Sequence, residues 1–233
     1  MPATPPGARS MGYEFQFNVI WQNWDLFLFG AWLTVQIASV STGLGLIIGM
    51  VMAGLQSLKN RPLNALIQVY IEVIRNTPFL VQLFFVYFGL PSLGLKVPAD
   101  QAALLALTIN IGAYATEIVR AGVESISKGQ IEAGRSLGLS SFQIFVFVVL
   151  KPALMTVYPA LTSQFILIML NSAVISVISA QELAFQAKYL QSRTFRSFEI
   201  YLFVTLVYLL LAYLFRTVFG LISKVAFGRA QVN

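Results

Sequence analysis

Long apolar runs alternate with short polar stretches along this 233-residue chain, and the runs set its elements. The first run is the clearest. No charged residue stands between Asp25 and Lys59, more than the ~20 residues a helix needs to cross a hydrocarbon core. A second run, from about Leu63 to Pro91, contains Glu72 and Arg75, and Pro78 is expected to bend it. Its longest charge-free piece is 76–95, and the turn-rich segment PSLGLKVPAD (91–100) follows. The third run covers about Gln101 to Val123 and carries Glu117 and Arg120 near its end. After a polar stretch from Glu124 to Ser141, a fourth run extends from about Phe142 to Ser179, interrupted by Lys151-Pro152. Residues 180–198 are polar, with Lys188, Arg193 and Arg196, and a fifth run spans about Glu199 to Ile222.

The first run has a pattern of its own. Thr34, Ala38, Thr42, Gly45, Gly49 and Ala53 recur at three- and four-residue steps. Such a stripe of small residues lets helix backbones approach closely in lipid. Ahead of it, Tyr13, Phe15, Phe17, Trp21 and Trp24 suit a membrane interface, while residues 1–12 read as a disordered tail with no cleavable leader. Five spans put the termini on opposite sides. Lys59, Arg61, Arg120, Lys128, Arg135, Lys224 and Arg229 then share one side; Arg9, Lys96, Lys188, Arg193 and Arg196 share the other. The excess of cations marks the first group as cytoplasmic, with the N-terminus outside and the C-terminus inside. No internal repeat is evident, although an inverted-repeat secondary transporter should carry one.

Composition narrows the class. The chain is 58% hydrophobic and 10% charged, with a mean hydropathy of +0.77, against about 25% charged in soluble domains. It therefore reads as one membrane domain whose solvent is lipid. It has no cysteine and no histidine, which removes disulfides, thiolate chemistry, the commonest general base and the commonest metal ligand. The net charge of +6 fits cations at helix ends rather than a nucleic-acid surface.

Three sets of residues could carry chemistry. Glu72 with Arg75, and Glu117 with Arg120, are three apart, so each pair shares a helix face and can form an ion pair that ties helices together. Asn110, Tyr114 and Glu117 on the third run form one polar stripe. Gln164, Asn171, Ser172, Ser176 and Ser179 form another on the fourth. Such stripes line a path for a polar solute or supply hydrogen bonds between helices, and spacing alone leaves both open. The third set is the stretch Glu124–Ser141. Gly129, Gly134 and Gly138 with Ser136, Ser140 and Ser141 make a poor isolated helix. They suit a segment on which a partner surface packs closely, or an ordinary solvated loop.

Here the residues resemble a known family. GQIEAGRSLGLSSFQIFVFVVLKPAL (129–154) is similar to the loop-and-helix signature of ABC-importer permeases, with Glu132, Ala133, Gly138, Val148 and Leu150 at its positions. YIEVIRNTPFLVQLFFVYFGLP (70–91) and NIGAYATEIVRAGVESISKGQ (110–130) resemble the polar amino-acid uptake branch, and the similarity covers about residues 26–222. Gly134 replaces the usual second alanine, the proline of Lys151-Pro152 is shifted by one position, and Val146 and Phe147 stand where basic residues are frequent. Leu170 precedes Asn171 where the branch often has lysine.

The resemblance implies an all-α integral membrane protein of about five transmembrane helices with a cytoplasmic coupling helix, the type I ABC-importer permease architecture. Residues 1–24 would be a tail and interfacial segment, 25–223 the permease domain with its coupling loop at 124–141, and 224–233 a cytoplasmic tail. Glu132, Ala133, Gly134, Ser136, Leu137 and Gly138 would dock an ATPase; Asn110, Tyr114, Gln164, Asn171 and Ser172 would line the path. Two permease subunits, identical or similar, would form the pore in a bacterial inner membrane. Two cytoplasmic ATPase subunits would hold the ATP and magnesium, and an extracytoplasmic binding protein would deliver an amino acid. This chain would perform no catalysis and hold no cofactor. An ATP-independent secondary transporter or channel for a small polar solute is the alternative, and a membrane enzyme working with lysine or carboxylates a third class.

Overall fold

The computed structural model describes residues 13–56 and 60–228. The expectations for the 1–12 tail, for Arg9 and Lys59, and for Arg229 with the rest of the C-terminal tail beyond Gly228 fall outside them. Within them the chain is helical: α1 Asn18–Gln22, α2 Trp24–Gln56, α3 Arg61–Arg75, α4 Phe79–Ser92, α5 Ala99–Glu124, α6 Lys128–Ser136 and α7 Ser141–Gln143. A π-helical stretch, Ile144–Leu150, then leads into α8 Lys151–Asn171, a 3₁₀ stretch Ser172–Ile178, α9 Leu183–Thr194 and α10 Ser197–Phe227.

Four helical segments are long and apolar enough to cross a membrane: Trp24–Gln56, Ala99–Glu124, Pro152–Ile178 and Ser197–Phe227. The pair α3 and α4, bent by 107°, makes the fifth. The second run is thus two helices rather than one bent helix. Lys151-Pro152, by contrast, does not interrupt the fourth run, because the π stretch passes directly into α8. α10 continues to Phe227, past the boundary placed at residue 224.

The small-residue stripe of α2 packs on α5. A side-chain carbon added at Gly45 would meet Ile111 Cγ2 at 2.5 Å, and one at Gly49 would meet the Ala115 Cβ at 2.5 Å. The paired positions rise together along both helices, so α2 and α5 run parallel. Two parallel spans in succession require an odd crossing between them, which the bent pair supplies. Ile37, Leu83, Ala103, Leu107, Ile111 and Ile175 form the core of this half.

Residues 180–198, read from sequence as a polar stretch, hold a helix with one buried face, while Lys188 and Arg193 stay exposed. Leu183, Ala187 and Leu190 of α9 pack with Ile20, Phe27, Ile200 and Val204 into a second core. Gly30 admits the Leu183 Cα so closely that an added carbon would lie 2.8 Å from it. The segment before α1 is tied down as well: the Gln16 amide and the Tyr13 hydroxyl donate to Glu199 (2.9 and 2.5 Å), and Arg196 Nη1 donates to the Glu14 carbonyl at 2.9 Å.

Candidate functional site

The glycine-containing stretch after α5 folds as α6 with a stop on each side. Ser127 caps its start, its hydroxyl accepting from the Gln130 amide. At its end the Leu139 amide donates to the Gly134 carbonyl (3.1 Å) and the Gly138 amide to that of Arg135 (2.9 Å). This double bond closes a helix through a left-handed residue, and Gly138 has φ +76°. Gly138 therefore answers to the turn itself. Ser140 and Gln143 then form a reciprocal cap that starts α7.

Gly134 turns inward. A carbon added there would lie 3.1 Å from Ile144 Cγ1, so alanine, usual at this position in the resembling family, would push on Ile144. Its smallness serves the chain's own packing between α6 and the π stretch rather than a partner. A groove of about 200 Å³ remains beside it, lined by Ile131, Arg135, Ser141, Ile144, Phe145 and Val149. Glu132, Ala133, Ser136, Leu137 and Gly138 are exposed. Leu137 is 80% and Phe142 75% exposed, two large apolar side chains on a polar connection.

The ion pairs differ from the expected ones. Among the described residues no pair within 4.0 Å joins Glu72 to Arg75. Arg75 Nη1 instead reaches across to Glu117 Oε2 at 3.0 Å, and its guanidinium lies 5.6 Å from the Tyr114 ring centroid. Arg120 pairs with Glu117 at 2.6 Å, as expected, and also with Glu124 at 2.9 Å. The Glu72 carboxylate accepts from Gln68 at 3.2 Å. Both residues of that pair are exposed, whereas Glu117 on α5 offers Arg75 a half-buried carboxylate already organised by Arg120.

The expected path residues divide. Asn110 is buried, and its Nδ2 donates to Gln82 Oε1 at 2.9 Å. Ser172 is buried and donates to the Met169 carbonyl at 2.7 Å. Tyr114 and Gln164 are half-buried and Asn171 is exposed. Among the described residues no hydrogen bond joins the α5 positions to the α8 positions.

Two residues escaped the sequence reading. Gln82 completes the bend: its Nε2 donates to the Ile74 carbonyl (2.7 Å), the Thr77 carbonyl (3.0 Å) and the Thr77 hydroxyl (2.8 Å). The NTP tripeptide at 76–78 was the available signal. Glu182 is fully buried where α2, α9 and α10 meet. It caps α9 by accepting from the Phe185 amide (2.9 Å) and takes the Tyr208 hydroxyl at 2.6 Å and the Thr34 hydroxyl at 3.4 Å. Burial raises its carboxyl above the ordinary carboxylate value, while these donors draw it back down. The available signal was an acid directly ahead of Leu183, at the end of SAQE (179–182); the left-handed turn at Ser179, three residues earlier, shows only in the fold. Among the described residues no group of three or more acids could hold a metal ion.

Comparison with known proteins agrees with the geometry. Residues 45–225 match the family described as "Binding-protein-dependent transport system inner membrane component". The chain is 35% identical over 194 residues to a probable glutamine ABC transporter permease, GlnM, of Bacillus subtilis, covering 83% of this chain and 90% of that one. It is 36% identical over 200 residues to the glutamine transport system permease GlnP of Escherichia coli K12, covering 85% and 91%. An amino acid ABC transporter solved with histidines superposes with a TM-score of 0.84 at 34% identity, over 91% of this chain and 99% of that chain. The inward-facing methionine transporter MetNI, at 23% identity and a TM-score of 0.72 over 91% and 99%, shares the fold.

Proposed function

This chain belongs to the binding-protein-dependent inner membrane components, as a polar amino-acid permease of the ABC type, and we propose that it couples amino-acid uptake to a cytoplasmic ATPase through α6. It is a multi-pass inner-membrane transport subunit that works in an ABC assembly with other subunits. The observation that carries the coupling is α6 itself, a helix stopped at both ends and held from within at Gly134, with Glu132, Ala133, Ser136, Leu137 and Gly138 turned outward. An exposed carboxylate beside an exposed Leu137 offers a charge-assisted hydrogen bond and an apolar anchor to one partner groove.

In this reading α6 and the C-terminus face the cytoplasm and the N-terminus and α9 face outward. The assembly has two permease subunits, identical or similar. Two ATPase subunits bind ATP and magnesium, and an external binding protein delivers the solute. Closure of the ATPase dimer draws two α6 helices together and rocks the spans by alternating access; hydrolysis resets them. The solute passes Tyr114, Gln164 and Asn171, with Asn110 and Ser172 fixed behind the wall. Because the relatives named above carry glutamine in their names, glutamine is the first solute to try.

The test is uptake of labelled glutamine, and of other polar amino acids, into vesicles holding the chain with its native partner subunits. ATP inside should drive uptake, and Glu132→Ala should lower uptake per ATP at least about tenfold or release the ATPase. Uptake driven by an ion gradient without ATP would support the secondary-transport reading instead. Asn171→Leu should slow uptake while sparing assembly; lost assembly would make Asn171 a packing residue.

A further inference from the structure

The break between α3 and α4 is fastened to α5 at three points. Below the break, the Tyr70 hydroxyl donates to the Ile109 carbonyl at 2.6 Å. At the end of α3, Arg75 pairs with Glu117 at 3.0 Å. Beyond the break, Gln82 of α4 takes the Asn110 amide at 2.9 Å. Gln82 differs from the other two because it holds both halves at once. Its nitrogen donates back across the break to Ile74 and Thr77 while its oxygen accepts from α5. One side chain therefore joins α4 both to the end of α3 and to α5, where the other two contacts hold only α3.

The backbone shows why such a residue is required. A helix end leaves its last carbonyls without partners, and in lipid each must find one. The Glu72 carbonyl keeps the Asn76 amide (3.0 Å) and adds Asn76 Nδ2 (2.9 Å), while those of Val73 and Ile74 take the Thr77 hydroxyl (2.8 Å) and Gln82 Nε2 (2.7 Å). Asn76 and Thr77 act locally. Gln82 alone among the three also reaches α5, and α5 ends at Glu124, three residues before the cap of α6.

We propose that Gln82 is a positioning residue for transport: it locks the elbow between α3 and α4 onto α5, so that α5 and both halves of the broken span move as one rigid body. The proposal rests on the coupling role of α6, because α5 is the span that α6 moves directly. A pull on α6 then displaces the elbow with α5 instead of being absorbed by a hinge at 76–78.

Two experiments test it, the first independent of any partner. The chain has no cysteine, so spin labels can be placed at Phe85→Cys on α4 and Leu105→Cys on α5, both exposed. The wild-type background should give one narrow distance. Gln82→Leu should broaden or split it, and Gln82→Glu, which keeps the acceptor but loses the donors, should fall between. Unchanged distributions in both variants would overturn the proposal.

The second experiment uses the full complex. Gln82→Leu should leave subunit assembly and basal ATP hydrolysis intact while uptake per ATP falls at least about threefold. In a Gln82→Cys, Asn110→Cys pair, a short bis-methanethiosulfonate cross-linker, which forms a disulfide at each end, should restore uptake, and reduction of those disulfides should abolish it again. A cross-link that stops transport would show that the elbow must part from α5, and would overturn the rigid-body assignment. If wild-type uptake proves independent of ATP, the functional reading fails, and the label distances still decide the lock.

Discussion

Pro78 and Pro152 both stand inside apolar runs, yet one breaks its helix by 107° and the other leaves its span continuous. A proline removes a backbone donor and clashes with the carbonyl four residues back. What differs is the company. Around Pro78, Asn76 and Thr77 cap the carbonyls of Glu72 and Val73, and Gln82 supplies a donor for that of Ile74, whose partner the proline removes. Ahead of Pro152 stands IFVFVVL, with no polar side chain at all. A full break there would leave carbonyls with no side-chain donor beside them, and the helix instead runs on through π turns over Ile144–Leu150. In this chain the proline that breaks its helix is the one whose neighbours take over the backbone bonds.

Glu182 extends the comparison to the C-terminal end of the fourth span, where a buried carboxylate starts α9 as Gln82 secures the elbow. It gives the largest expected effect. Glu182→Leu strands the Tyr208 hydroxyl and the Phe185 amide, and should cost about 3 kcal/mol, read as a lower thermal midpoint of the purified chain. A loss under about 1 kcal/mol would mean that water reaches the site.

Glu182→Gln separates charge from hydrogen bonding. The folded carboxyl titrates above its unfolded value, so the native state holds its proton more tightly. Wild-type stability is therefore greatest below the ordinary carboxylate value and falls as pH rises through the raised one. Glutamine keeps an acceptor and no titration, so the variant should gain on wild type as pH rises across that window. A difference independent of pH would remove the burial argument.

The elbow should respond less than Glu182→Leu, because each cap is one hydrogen bond. Asn76→Leu with Thr77→Val should together cost about 1–2 kcal/mol. Pro152→Ala should change stability least, by under about 0.5 kcal/mol, since the π turns already absorb the ring. A gain near the ~3 kcal/mol of a strained interior proline would show that the π stretch does not relieve it.

The residue order alone determined how many apolar runs the chain has, about where they lie and which connection resembles the loop signature of ABC-importer permeases. Charge-free length, turn residues and the spacing from Glu132 to Gly138 are local properties, so they can be read along one dimension. Three further matters were decided in tertiary structure. Arg75 chose Glu117 over Glu72 because the better carboxylate lies on another helix. Residues 183–194 became a helix with one buried face because α2 and α10 shape a site around Glu182 and Gly30 that the polar composition conceals. Gly134 is small because Ile144 leans on it. Spacing tells which residues share a face of one helix; which neighbour that face meets is settled by packing against segments remote in sequence, where burial and unpaired polar groups carry the larger energies.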